Sequence, residues 1–172
     1  TSPRRETSLI SSPSATPRSA ASSACTSTNG SSCLRAIPAS RRVIDAFPED
    51  KLFGYTIGGM RPFSTLVMEF IGMAVPTLNG VITGEWKQYA EEKATTKVQL
   101  LKKWDEATAE IERLWPTIPA ARFQEVDTAF GQWKMAIYDL LLYVRDNEIH
   151  HRGQGYVYLR SLGIEPPPFY ER

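Results

Sequence analysis

Cysteine is almost missing from this 172-residue chain: Cys25 and Cys33 are the only two, both in the first 40 positions. Two thiols cannot build a disulfide scaffold, and their scarcity points to a reduced, cytoplasmic setting. A charge surplus is also lacking. Twenty Lys and Arg stand against 19 Asp and Glu, for a formal charge of +1, and no basic stripe interleaves with aromatics. Both facts argue against nucleic acid as a partner held by bulk electrostatics. The longest apolar run, Leu66 to Val75 broken by Glu69, is far shorter than the roughly 20 residues of a spanning helix. A soluble protein with no membrane partner is expected. There is no glycine-rich phosphate loop, no cysteine pair at zinc-finger spacing and no serine in an elbow motif.

The first 40 residues lack aromatics altogether and contain one acid, Glu6, beside twelve serines. By composition this stretch resists a packed core, and without an apolar h-region it reads as no secretory signal. The chain therefore divides into an atypical Ser/Thr/Pro-rich segment, 1–40, and a domain over 41–172. Two readings of the segment compete. It forms a first helix around Ala20 to Phe47 despite poor propensity, or its letters come from an out-of-frame reading of the true polypeptide. Intact mass and peptide sequencing would reject the second if the written residues were found.

Helical periods dominate the rest. Arg41 to Phe47 reads as the last turns of a helix stopped by Pro48, and a loop with Gly54, Gly58 and Gly59 follows. Pro62 suits the start of a second helix from Phe63 toward Ile82, with a kink at Pro76. A third helix spans about Thr95 to Leu114, where Val98, Leu101, Trp104 and Ile111 recur at helical spacing. Phe123 to Phe130 is an irregular linker. A long fourth helix runs from about Gln132 to Leu162, closed by Gly163 and Pro166-Pro167-Pro168. These elements imply an all-α fold, an antiparallel four-helix bundle.

Histidine is as scarce as cysteine. His150 and His151 are the only two, and both lie on the last helix. A 3.6-residue period places Leu140, Val144, Asn147, His151, Gln154, Tyr158 and Leu162 on one stripe with apolar ends and a polar middle. Buried Asn, His and Gln need hydrogen-bond partners, water or a metal, because an unpaired polar group in a core costs about 1–3 kcal/mol. Asn147 and His151 are four apart, so both can reach one ion, as in helices that supply two ligands. The competing reading makes His151 a hydrogen-bonded core histidine and His150 a surface one. Glu69 is the charge inside the second helix's apolar run. Periodicity leaves it open between core and solvent, because Thr65, Gly72, Pro76 and Asn79 share its face.

The segment Asn147-Glu148-Ile149-His150-His151-Arg152-Gly153-Gln154, continued by Tyr156 to Arg160, Gly163-Ile164 and Pro166-Pro167, resembles the C-terminal signature of the DinB/YfiT-like superfamily. Arg61-Pro62-Phe63 leading into Leu66-Val67-Met68 is similar to its second-helix opening. The resemblance covers about Arg42 to Tyr170. It implies a four-helix bundle, often dimeric, holding a divalent metal on three histidines: one from the second helix and two, four apart, from the fourth. Its members include thiol-dependent transferases and proteins described as metal-dependent hydrolases. The three ligand positions fall on Glu69, Asn147 and His151, so two of the expected histidines are replaced.

Oxygen donors at two of three positions favour harder cations such as Mn or Mg over a tight zinc site. Two outcomes are expected: weak binding of a divalent ion (Mn, Ni or Zn), or a metal-free site with Glu69 and His151 as a hydrogen-bonded acid/base pair. Arg152 and Arg160 are candidates for an anionic substrate group, or plain surface cations near a helix C-terminus. Tyr143, Tyr158 and the four tryptophans read as packing residues. Two functions follow. One is a metal-dependent transferase or hydrolase of a small molecule, a thiol among the candidates, acting as a homodimer. The other is a catalytically inactive bundle that serves self-association or partner binding.

Overall fold

A computed structural model describes residues 37–88 and 93–170. Cys25, Cys33 and any helix before Ile37 lie outside them. Among the described residues are five helices and one two-stranded sheet: α1 Ile37–Ala46, α2 Glu49–Leu52, α3 Phe63–Thr83, α4 Lys97–Leu114, β1 Val126–Ala129, β2 Trp133–Ala136 and α5 Ile137–Ser161. Helix α3 packs on α4 and α5, and α1 packs on the same two. Helix α1 already includes Ile37 to Ser40, so the compositional boundary at residue 40 falls inside a helix.

Each long helix buries one stripe. On α4 this is Leu100, Trp104, Ala107, Ile111 and Leu114, spaced in fours and threes. Val98 is not part of it: the side chain is 76% exposed in the first turn, a correction to the expected stripe. Thr96 caps this helix by accepting from the Gln99 amide at 3.2 Å, which moves the start to Lys97. Helix α3 continues through Pro76 to Thr83, although proline removes one ladder hydrogen bond. With 21 residues and a mean hydropathy of 1.5, α3 has the length and composition of a membrane span, which the broken apolar run did not suggest. Half of that stretch is buried inside the fold, and its apolar character serves the core.

The sheet is the main departure from an all-α expectation. The fourth helix was expected from Gln132, but the residues before Ile137 form an antiparallel hairpin pairing Val126 with Ala136 and Ala129 with Trp133. Phe130 and Gly131, at φ 52° and 71°, turn the chain between the strands. Arg122 anchors the hairpin: its Nε donates to the Val81 carbonyl at 2.8 Å, and its two terminal nitrogens reach Glu125 and Asp127 at 2.6 and 2.5 Å. Strands of four residues carry too little alternation to compete with a neighbouring 25-residue helix in the sequence.

Helix α5 approaches α1 and α3 closely at Gly155. A methyl group there would meet the Phe63 ring at 2.6 Å and Val43 at 2.9 Å. Phe63 in turn stacks on Phe47, with ring centroids 4.6 Å apart. This contact sets the separation of α3 and α5, and with it the spacing of the polar groups one turn earlier on α5.

Candidate functional site

The polar middle of the α5 stripe faces α3, as its period predicts. Val144, His151 and Tyr158 are buried, while Asn147 and Gln154 are half-buried. Across from them α3 presents Glu69, whose side chain is 35% exposed, so Glu69 belongs neither to the core nor to open solvent. It stands at the rim with its carboxylate turned to α5. The structure brings Glu69, Asn147 and His151 together. Glu69 Oε1 lies 3.1 Å from His151 Nε2 and 3.2 Å from Asn147 Nδ2, and Asn147 Nδ2 lies 3.3 Å from His151 Nε2. Among the described residues, no group of three or more His, Cys, Asp or Glu side chains could hold a metal ion; the carboxamide of Asn147 is what breaks the set here.

Two further residues complete the cluster. Arg61 Nη1 lies 2.5 Å from Glu69 Oε2, and the Gln154 carbonyl oxygen lies 2.7 Å from His151 Nδ1. Gln154 was visible on the stripe but not as a partner of His151. Arg61 stands in the loop before α3, where no periodicity marks it. Tyr158 is fully buried and donates its hydroxyl to the Arg61 carbonyl at 2.7 Å, so this packing residue also fixes the loop that delivers Arg61. Tyr143 is 56% exposed, which corrects its reading as a packing residue, whereas Trp133, 48% exposed, packs edge to face on Phe130 with ring centroids 6.0 Å apart. Both sit where a helix face or hairpin edge meets solvent.

Proton placement follows from these contacts. The Gln154 oxygen can only accept, so His151 Nδ1 carries the ring hydrogen. A neutral ring then turns its Nε2 lone pair toward Glu69 Oε1, and two acceptors face one another at 3.1 Å. One positive charge, a proton or a metal ion, relieves that pairing. Meanwhile the carboxamide oxygen of Asn147 is buried without a hydrogen-bond partner. Burial pushes the Glu69 carboxyl up. Hydrogen bonds from His151, once a proton sits on its Nε2, and from Arg61 and Asn147, with the Arg61 charge, outweigh it and hold the group below its ordinary range. Glu69 is thus a carboxylate near neutral pH.

The other candidates lie elsewhere. His150 is exposed on α5, its ring centroid 5.2 Å from that of His151. Arg152 pairs at 3.3 Å with buried Glu148, and Arg160 lies over the Tyr156 ring at 6.0 Å. Both arginines face a different side of α5 and touch neither Glu69 nor His151.

The fold has relatives of known structure. A DinB-like protein from Bacillus cereus ATCC 10987 matches with a TM-score of 0.63 at 18% identity, over 78% of this chain and 91% of that one. A DinB-like protein of Bacillus subtilis, YjoA, matches with a TM-score of 0.64 at 20% identity, over 83% of this chain and 96% of that one. No match was found among curated proteins. The profile of the DinB family matches residues 41–172, which includes α3 with Glu69 and α5 with its Asn147–His151 pair, and on that match the chain belongs to the DinB family.

Proposed function

We propose that this protein is a metal-dependent transferase or hydrolase of a small molecule, with an altered metal site of Glu69, Asn147 and His151. Its scaffold is read as an antiparallel four-helix bundle of α1, α3, α4 and α5, acting as a homodimer. The observation that carries the reading is the acceptor pair, Glu69 Oε1 and His151 Nε2, facing each other across 3.1 Å.

The donor set fits a cation. Neighbouring ligands of an ion bound at about 2.1 Å stand about 3.0–3.4 Å apart, and the three atoms here are 3.1–3.3 Å apart. A half-turn of the Asn147 amide brings its orphaned oxygen into the place of Nδ2. One carboxylate oxygen, one carboxamide oxygen and one imidazole suit Mn better than Zn or Ni. Such an ion supplies Lewis-acid chemistry and lowers the pKa of a water or thiol beside it. The chain's own groups do the rest. Gln154 holds the imidazole in one orientation, Glu69 Oε1 and His151 Nε2 would hold the ion and share a proton only in its absence, and the buried flank of Val144 and Tyr158 keeps water to the Glu69 side.

Arg61 favours a second reading. Its guanidinium supplies a positive charge at Glu69 without any ion, which suits a metal-free, catalytically inactive bundle used for self-association or partner binding. Equilibrium dialysis of the full chain against saturating Mn, Ni or Zn, read by elemental analysis, separates the two, with His151→Ala alongside. The expected result is near-stoichiometric metal in the parent protein and none in the variant. A rise in melting temperature should accompany it, because ion at 100 times Kd adds about 2.7 kcal/mol to the folded state. No metal in either protein overturns the metal-dependent reading. Retention would justify a substrate screen among thiol conjugates and hydrolysable esters.

A further inference from the structure

Three arginines of α5 turn away from the Glu69 cluster. Arg145, Arg152 and Arg160 follow one another at steps of seven and eight residues and so share a stripe. That stripe borders a cavity of about 940 Å³ between α5 and the segment from Glu165 to Tyr170; Glu69, Asn147 and His151 do not border it. Small-molecule sites commonly measure roughly 300–1,000 Å³.

The cleft is preformed and its charge is unbalanced. Pro166, Pro167 and Pro168 form one wall with locked φ angles, and Arg42 donates to the Pro168 carbonyl at 3.5 Å. Arg152, with its side chain 14% exposed, is held by Glu148 behind the cavity. Among the described residues, neither Arg145 nor Arg160 has a carboxylate within ion-pair distance, and Glu165 is the one acid on the lining. Beside these cations stand exposed rings. Phe169 and Tyr170 are 72% and 71% exposed and meet edge to face, centroids 5.6 Å apart.

Planar guanidiniums match phosphate and carboxylate oxygens in pairs, and they stack with flat rings. We infer that the cleft binds a small organic anion, a phosphate or carboxylate on a flat aromatic body. The anionic group lies on Arg152 and one of its unpaired neighbours, and the ring lies on the exposed aromatics. The chain's own residues 1–36 are an unsuitable occupant, because they carry Arg4, Arg5, Arg18 and Arg35 against the single acid Glu6. The inference is independent of any reaction at Glu69.

Calorimetric titration of the full chain tests it with 1-naphthyl phosphate and 1-naphthoate, against inorganic phosphate and 1-naphthol. One saturable site is expected for a naphthyl anion, about tenfold tighter than for phosphate or naphthol. The stronger of the two anions identifies the preferred oxyanion. Arg145→Gln with Arg160→Gln should weaken it by about tenfold or more, roughly 1.4 kcal/mol. Lys102→Gln with Lys134→Gln, equal in charge but on other surfaces, should leave it unchanged. All four side chains are exposed, and a thermal melt confirms folding of each variant. The inference is overturned by an absence of saturable binding, by equal losses in both double variants, or by naphthol binding as tightly as the anions. Retention on anionic vesicles without small-anion binding also overturns it, and makes the stripe a polyanion surface.

Discussion

Two carboxylates flank the same helix, and the fold treats them in opposite ways. Glu69 reaches α5 from α3 at a solvent-facing rim, and partners surround both of its oxygens: His151 and Asn147 on one, Arg61 on the other. Glu148 lies on α5 itself, 4% exposed against α1. Its Oε1 accepts from the Ser40 hydroxyl and faces Arg152, while Oε2 is buried without a partner. Burial pushes Glu148 above the ordinary range, and the Ser40 hydroxyl with the Arg152 and Arg145 charges draws it only part of the way back. Glu69 is held below that range. Proximity to an arginine is common to both; what separates them is the depth of burial and the number of donors set against it.

The largest expected effect comes from breaking the buried member of the comparison. Arg152→Met keeps the aliphatic stem and removes the cation that faces Glu148, so an unsupported carboxyl remains in the interior. The loss should be about 3 kcal/mol at pH 8 by urea denaturation. It should shrink as pH falls toward the carboxylate range, because Glu148 takes up its proton ahead of the unfolded chain. A loss below about 1 kcal/mol at pH 8 would mean that the α1–α5 contact tolerates a free carboxylate, and the contrast with Glu69 would collapse.

The pH dependence of stability sharpens the contrast, because the two groups act in different windows. Glu148 rises above its ordinary value of 4.5 on folding, so the native state holds its proton longer than the unfolded chain. Its burden is absent below that value, grows as pH climbs toward the native one, and then stays constant. Glu69 falls below 4.5 on folding. It contributes stability above 4.5 that is lost as pH drops through its native value. Glu148→Gln should therefore flatten the decline of the urea midpoint above pH 4.5, whereas Glu69→Gln should flatten the loss on the acid side. Identical profiles for the two variants would contradict the assignment.

Much of the site was legible because helical period is a strong signal. The α5 stripe from Leu140 to Leu162 has the predicted face, since a 25-residue helix leaves little freedom in register. Glu69 was not decidable from its own helix: its face is small and polar, and its position depends on how closely α3 and α5 pack at Gly155. The contact of Arg61 joins a loop to a helix, so no spacing rule pairs it with Glu69. Gln154 stands three residues from His151 on α5, a spacing that allows the contact, but period alone does not choose it over a core, water or metal partner. The hairpin went unseen for the opposite reason, its strands being too short to interrupt a helical reading. Glu148 shows the limit most clearly. It sits one residue from Asn147, and its burial is set by α1 crossing that side of α5, a contact between residues 108 apart.

The smallest stability effect should come from Arg61, and it carries the most information about the Glu69 side. Arg61 and Glu69 are 52% and 35% exposed, so their bridge is screened by solvent, and Arg61→Ala should cost less than about 1 kcal/mol. The same change frees Glu69 Oε2 and removes a like charge from beside any ion bound at Oε1. Mn affinity, measured by titration calorimetry, should then improve on the order of tenfold, as expected for a unit charge lifted from a few ångströms away at a partly exposed site. If stability falls by several kcal/mol instead, the guanidinium is the structural counter-ion of this junction, as Arg152 is of the other, and the two carboxylates differ only in depth. If stability holds and Mn binding improves, Arg61 is a replaceable cation at a site still shaped for one.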